Sequence, residues 1–194
     1  MTRTCANPRC EAPLAGVRRA QTKTCSDRCR MALSRVRRSS AVPARLRTAD
    51  RWVTHDDAKR PLTPAGTPAS STDPATWSKY ASVRSRARKG LVLNGDGIVC
   101  IDLDHCLDTE GAPSPLARAV LDRCPPTYIE VSPSGDGLHV WGLGEVARGR
   151  RMRRRGGDVE VYGTGRYITV TGRPFEASPA ALGDLSGVIR WLTT

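Results

Sequence analysis

From residue 90 onward the chain is a series of short runs rich in Val, Ile and Leu, separated by clusters of Gly, Pro, Asp and Ser. Such runs, bounded by turn residues, read as strands rather than helices. Residues 91–93 and 98–104 flank Asn94-Gly95-Asp96-Gly97 and predict two strands around a turn. Residues 128–131 and 138–141 flank Ser132-Pro133-Ser134-Gly135-Asp136-Gly137 and predict a second hairpin. The alternation returns in residues 159–162 and 166–171, with Gly163-Thr164-Gly165 as the turn between them. Successive strand residues point to opposite faces, so the apolar positions define one buried face. The opposite face then carries Asp102, Asp104, His139 and Glu160. A helix is expected over 113–124, with Leu116, Val120 and Leu121 on one side and Pro125-Pro126 as its stop. Another is expected to start near Asp73-Pro74, an N-cap followed by a first-turn proline. Trp77 and Tyr80, three apart, are expected to pack a core, and residues 61–71 to form an exposed loop.

The first 40 residues are different. Cys5, Cys10, Cys25 and Cys29 form a C-x4-C-x14-C-x3-C array. Four thiolates suit a tetrahedral Zn2+, and so short a segment needs metal to supply most of its folding free energy. After Cys29, the residues Arg30, Arg35, Arg37 and Arg38 interleave with Met31, Leu33 and Val36 and predict a basic helix, which gives way to Ser39-Ser40-Ala41-Val42-Pro43. We therefore expect a module over 1–40, a linker over 41–50 and a main domain over 51–194. Chain length permits a core that needs no disulfide staples. The formal net charge is +12, and ten basic residues against Glu11 and Asp27 fall within 1–40. That balance points to a nucleic-acid partner, with Arg35, Arg37 and Arg38 tracking phosphates. No run of 18 apolar residues or signal-peptide core occurs, so no membrane association and a cytoplasmic location are expected. In that reducing setting the seven cysteines argue for metal binding and buried thiols, not disulfides. Cys100, Cys106 and Cys124 fall to the second group.

The chemistry of the polar face follows from its residue types. Residues two apart on a strand lie about 6.5 Å apart on one face, so Asp102 and Asp104 can share metal. Glu160 would supply a third carboxylate. Hard cations such as Mg2+ or Mn2+ favour such oxygen ligands, and two ions about 3.5–4 Å apart support in-line attack of a 3'-hydroxyl on an α-phosphate. His139 is better suited to a triphosphate than to such ions. The turn bearing Ser134 offers hydroxyls and backbone amides to phosphate oxygens, and Arg166 offers charge to nucleotide or template. Six arginines between Arg148 and Arg155 read as a loop over template or primer phosphates, with Arg151, Arg153 and Arg154 as contacts.

Three motifs in order resemble the archaeo-eukaryotic primase superfamily, in its phage and plasmid primase-polymerase branch. They are the D-x-D strand Ile101-Asp102-Leu103-Asp104-His105, the Ser-x-His type hairpin from Ser132 to His139, and the acidic strand Val159-Glu160-Val161-Tyr162, followed by 165–172. Thr72-Asp73-Pro74-Ala75-Thr76-Trp77 adds to the likeness, which covers residues 51–194; Lys59 matches a lysine near the start of the family pattern. The cysteine module resembles small actinobacterial zinc fingers ending in C-S-D-R-C-R. The resemblance implies an α+β fold, with an RRM-like antiparallel sheet and flanking helices beside a zinc-ribbon-like module. It implies metals on Asp102, Asp104 and Glu160, and a nucleotide against His139. The implied activity is that of a DNA primase and polymerase, a nucleotidyltransferase of phage or plasmid DNA replication, acting on template, primer and nucleoside triphosphates. A phage-encoded chain would work in the host bacterial cytoplasm. No G-x-x-x-x-G-K-[ST] sequence and no helical C-terminal domain of the family are found, so a separate replicative helicase is expected. Two other classes stay open: a non-catalytic nucleic-acid-binding replication or regulatory protein on a decayed domain of this type, and a metal-dependent nuclease.

Overall fold

The computed structural model describes residues 4–7, 10, 12–14, 23–32, 42–154 and 157–194, with the side chain of Arg154 left aside. The chain separates into two compact units, residues 1–41 and 42–194. In the first, a bridge joins Thr4 to Pro13 and the Cys5 amide donates to the Ala12 carbonyl (2.9 Å). Helix α1 covers 27–32, and the Ser26 hydroxyl caps it by accepting from the Cys29 amide (3.2 Å). Arg35, Arg37 and Arg38, expected to continue a basic helix, lie outside the described residues.

The second unit is α+β, with two sheets that are almost wholly antiparallel and few helices. One sheet has the order β2-β1-β3-β9, from Pro61–Leu62, Trp52–His55, Lys89–Asn94 and Thr164–Thr169. The other has the order β10-β6-β4-β8-β7, from Gly183–Asp184, Leu138–Leu143, Ile98–Leu103, Gly157–Tyr162 and Arg150–Arg154. β5 (Tyr128–Val131) pairs antiparallel with β6, and β10 adds to β6 in parallel. Strand alternation divides the core. Val99, Ile101, Leu103, Leu138, Val140, Val159 and Val161 face α4 (Pro115–Leu121) and α5 (Ser186–Thr193). Ile98, Cys100 and Trp141 face the four-stranded sheet, where they meet Trp52, Leu91, Leu93 and Ile168. The result is three layers: helices, sheet, sheet.

Two expected hairpins are not hairpins. β3 pairs with β1 and β9, whereas β4 pairs with β6 and β8, so the turn after Asn94 carries the chain from one sheet to the other. The turn at Gly163 does the same between β8 and β9. The two crossovers touch, the Gly95 amide donating to the Gly163 carbonyl (2.9 Å). Turn composition reports a change of direction, but it does not say which edge the outgoing strand will join. The 128–141 hairpin forms as expected, closed by the Ser132 amide on the Gly137 carbonyl (2.8 Å).

Other departures have local causes. The helix expected at Asp73 is a single 3-10 turn, Pro74–Thr76; Asp73 caps it through the Ala75 amide (3.0 Å), but Trp77 is already extended. Tyr80 opens α3 (Tyr80–Val83) and packs on Trp52, ring centroids 4.8 Å apart. α4 falls inside 113–124, with the Ser114 hydroxyl accepting from the Ala117 amide (3.3 Å). Residues 150–154, read as a loop, form edge strand β7 against β8, and Met152 packs into the helix-side core. Residues 42–50, expected as a linker, belong to the second unit. Val42 and Leu46 are buried, α2 (Ala44–Arg47) is helical, and the Trp52 indole donates to the Leu46 carbonyl (3.0 Å).

That last point can be tested by Leu46→Ala, which empties a fully buried position and should cost about 3 kcal/mol. Urea unfolding of the second unit would measure it; an unchanged midpoint would return 42–50 to the status of a linker.

Candidate active site

The polar residues converge because β4 lies between β6 and β8 in one register. Asp102 is paired with His139 on one side and with Glu160 on the other. His139 is in turn opposite Glu130 on β5, and Glu160 opposite Arg151 on β7. Glu130, His139, Asp102, Glu160 and Arg151 thus form one row across five strands, on the face turned toward the second sheet. Asp104 follows the end of β4, where His105 takes a left-handed backbone (φ 45°) and turns the chain away. Carboxylate oxygens of Asp102, Asp104 and Glu160 lie within 4.8 Å of one another.

The electrostatics of this trio are strained. Asp102 Oδ1 is buried with no hydrogen-bond partner among the described residues, and His139 Nε2 lies 3.6 Å away, beyond hydrogen-bond range. Burial first, and then the charges of Asp104 and Glu160, push the Asp102 carboxyl above its ordinary value, against the pull of His139 and Lys59. Glu160 is better satisfied: Tyr162 donates its hydroxyl to Oε2 (2.6 Å), and the Arg151 Nε sits 3.3 Å from Oε1. A buried orphan oxygen among three converging carboxylates matches the oxygen donor set that Mg2+ or Mn2+ takes.

His139 is almost fully buried, with Nδ1 3.3 Å from Glu130 Oε1. Burial lowers its pKa, but the Glu130 hydrogen bond and the charges of Asp102, Glu130 and Asp104 outweigh this and leave it raised. The Ser134 hydroxyl is engaged within its own turn, 2.8 Å from the Ser132 hydroxyl. Gly137 allows that turn to sit against β4, since a Cβ there would lie 2.9 Å from the Leu103 carbonyl oxygen. Asp136 in the same turn meets His105 Nδ1 at 2.6 Å, which ties the Ser132–Gly137 turn to the loop after Asp104.

Arg166 stands on the other sheet, with its guanidinium 4.8 Å over the Tyr162 ring, and so reaches the carboxylates only through Tyr162 and Glu160. Arg151 and Arg153 occupy the site face of β7; Arg153 is 94% exposed and, among the described residues, pairs with Asp158 at 4.0 Å. Arg154 has its backbone in β7. Sequence reasoning missed Glu130 and Tyr162. Each carries a polar group on the site face of a recognised strand, but only the register shows that they touch His139 and Glu160. Lys59, unassigned from sequence, sits in the β1–β2 turn with a left-handed backbone (φ 57°); Tyr167 donates its hydroxyl to the Lys59 carbonyl, and its charge acts on Asp102.

In the first unit, sulfurs of Cys5, Cys10, Cys25 and Cys29 also lie within 4.8 Å of one another. Cys25 Sγ is 3.6 Å from both Cys10 Sγ and Cys29 Sγ. The Asn7 amide donates to Cys29 Sγ (3.4 Å), and this hydrogen bond leads those that pull the Cys29 thiol down to about 6. By contrast, burial pushes Cys106 up to about 12 and Cys124 up to about 11, as befits inert thiols.

No helix among the described residues is long and apolar enough to cross a membrane. The chain is 38% identical over 141 residues to the DNA primase-polymerase of Nitratiruptor phage NrS-1, a match covering 64% of this chain and 19% of that protein. Residues 28–182, which include the whole row from Glu130 to Arg151 and all three carboxylates, match the family described as bifunctional DNA primase/polymerase, N-terminal. The chain therefore belongs to the Prim-Pol family.

Proposed function

We propose that this chain extends DNA by template-directed nucleotidyl transfer, with Asp102, Asp104 and Glu160 as the ligands of a divalent metal pair. The observation that carries this reading is the convergence of three carboxylates around the orphaned Asp102 Oδ1. Two bound Mg2+ or Mn2+ ions would supply activation of the primer 3'-hydroxyl and stabilisation of the leaving pyrophosphate. The protein's own groups do the rest. His139, held rigidly at the edge of the carboxylates, donates to the triphosphate. The turn around Ser134 lies next to Asp104 through the His105–Asp136 pair and presents backbone amides to the phosphates. Arg166 braces Tyr162 and Glu160 from the second sheet, while Arg151 and Arg153 on β7 face template or primer phosphates.

We further infer that the six-stranded sheet with α4 and α5 on one face is the RRM-like half of the catalytic core. The four thiols of the first unit are read as a structural Zn2+ site in a zinc-ribbon-like module, which with Arg35, Arg37 and Arg38 would grip DNA. A separate replicative helicase would supply unwinding. A nucleic-acid-binding role without catalysis is the competing reading, and the first test below separates the two.

Asp102→Asn and Glu160→Gln should each lower nucleotide incorporation on a primed template by at least about 1,000-fold, the scale on which lost stabilisation of developing charge acts. Circular dichroism would check the fold; full activity in both variants would sink the metal assignment. Arg153→Ala should weaken DNA binding and reduce the slope of log affinity against log salt by about one. Titrations at several salt concentrations decide this, and an unaltered slope removes Arg153 from the DNA path. Purified full-length chain should carry zinc at near one-to-one stoichiometry and lose it on replacing Cys25 and Cys29 by Ser; metal analysis that finds no zinc in the parent chain would reject the module's assignment.

A further inference from the structure

Glu130 is fully buried, and polar hydrogens surround it on every side. Its Oε2 accepts from the Tyr128 hydroxyl (2.9 Å), the Thr171 amide and hydroxyl (3.1 Å each) and the Gly172 amide (2.8 Å). Its Oε1 faces Trp141 Nε1 and His139 Nδ1, both at 3.3 Å. A carboxylate can only accept, so the imidazole nitrogen facing it must carry a proton. The ring is thereby fixed with Nδ1–H toward Glu130 and Nε2 toward the carboxylate trio. Trp141 and Tyr128 fill the space behind it, and both are fully buried. The same carboxylate also binds the chain just after β9, so one buried group holds together β5, β6 and the outgoing end of the second sheet.

We propose that Glu130 is a positioning residue for nucleotide binding: it anchors Nδ1–H and the ring plane of His139 so that Nε2–H addresses the incoming nucleotide. This rests on the reading of His139 as the nucleotide contact. Groups that orient a functional imidazole through its second nitrogen commonly matter about 10–100-fold. Glu130→Gln keeps the shape but changes the chemistry. A glutamine has one oxygen, which four donors on the Oε2 side claim, and its NH2 then faces His139. Facing that NH2, Nδ1 must shed its proton, and the ring loses the bond that fixed its plane and aimed Nε2–H at the nucleotide.

The test uses the full chain. Long-range 1H–15N imidazole spectra resolve the protein's three histidines, and the signal absent from His139→Asn belongs to His139. We expect a protonated Nδ1 in the parent chain and a bare Nδ1 in Glu130→Gln. Steady-state primer extension should give a nucleotide KM raised about tenfold with kcat changed much less, the pattern of lost binding rather than lost chemistry. The double variant should be no worse than His139→Asn alone. A bare Nδ1 in the parent chain overturns the proposal even if Glu130→Gln fails to fold. An unchanged KM in Glu130→Gln beside a raised KM in His139→Asn overturns the positioning role only. An unchanged KM in His139→Asn overturns the reading on which both rest.

Discussion

The structure depends on the register of β4 between β6 and β8. Pairing one residue beside two neighbours fixes both at once, so Asp102 meets His139 and Glu160 only while both registers hold. A slip by one residue would turn Val99, Ile101 and Leu103 out of the helix-side core and carry the carboxylates into it. Core packing therefore enforces the geometry of the polar row. Val99, Ile101 and Leu103 on one face and Ile98 and Cys100 on the other anchor the strand from both sides, so it has no face on which to slide. The cost of crowding Asp102, Asp104 and Glu160 is borne by this apolar packing.

The second sheet has a different part. It packs on the apolar residues of that face, Ile98, Cys100 and Trp141, and sends three groups toward the carboxylates: Lys59 from the β1–β2 turn, Arg166 through Tyr162, and the Thr171–Gly172 backbone through Glu130. The three carboxylates lie on, or just past, strands of one sheet, and the charges that face them come from both: His139 and Arg151 from the same sheet, Lys59 from the other.

Much of this was legible in the sequence, and the limits were physical. Period-two alternation placed Asp102, His139 and Glu160 on a common face, because side-chain direction in a strand is a local property. Sheet membership is not local. The Asn94–Gly97 and Gly163–Gly165 turns look like hairpin turns and yet carry the chain between layers, so pairing across them could not be read from composition. Glu130 was visible as a polar residue on a known strand, but its partners Thr171 and Gly172 lie 41 and 42 positions away. Residues 150–154 show the opposite failure: their charge concealed a strand, since an edge strand needs only one apolar contact, here Met152.

That edge strand has a bearing on how the protein behaves at high concentration. Among the described residues β7 ends its sheet, with no strand paired along its outer row of backbone amides and carbonyls, the kind of template along which a second chain can add. Four of its five residues are arginine. Another copy approaching in the same way would bring four more, so the edge repels its own kind. A polyanion would meet attraction there instead, so the arginines disfavour edge-to-edge pairing of two copies and favour an anionic neighbour.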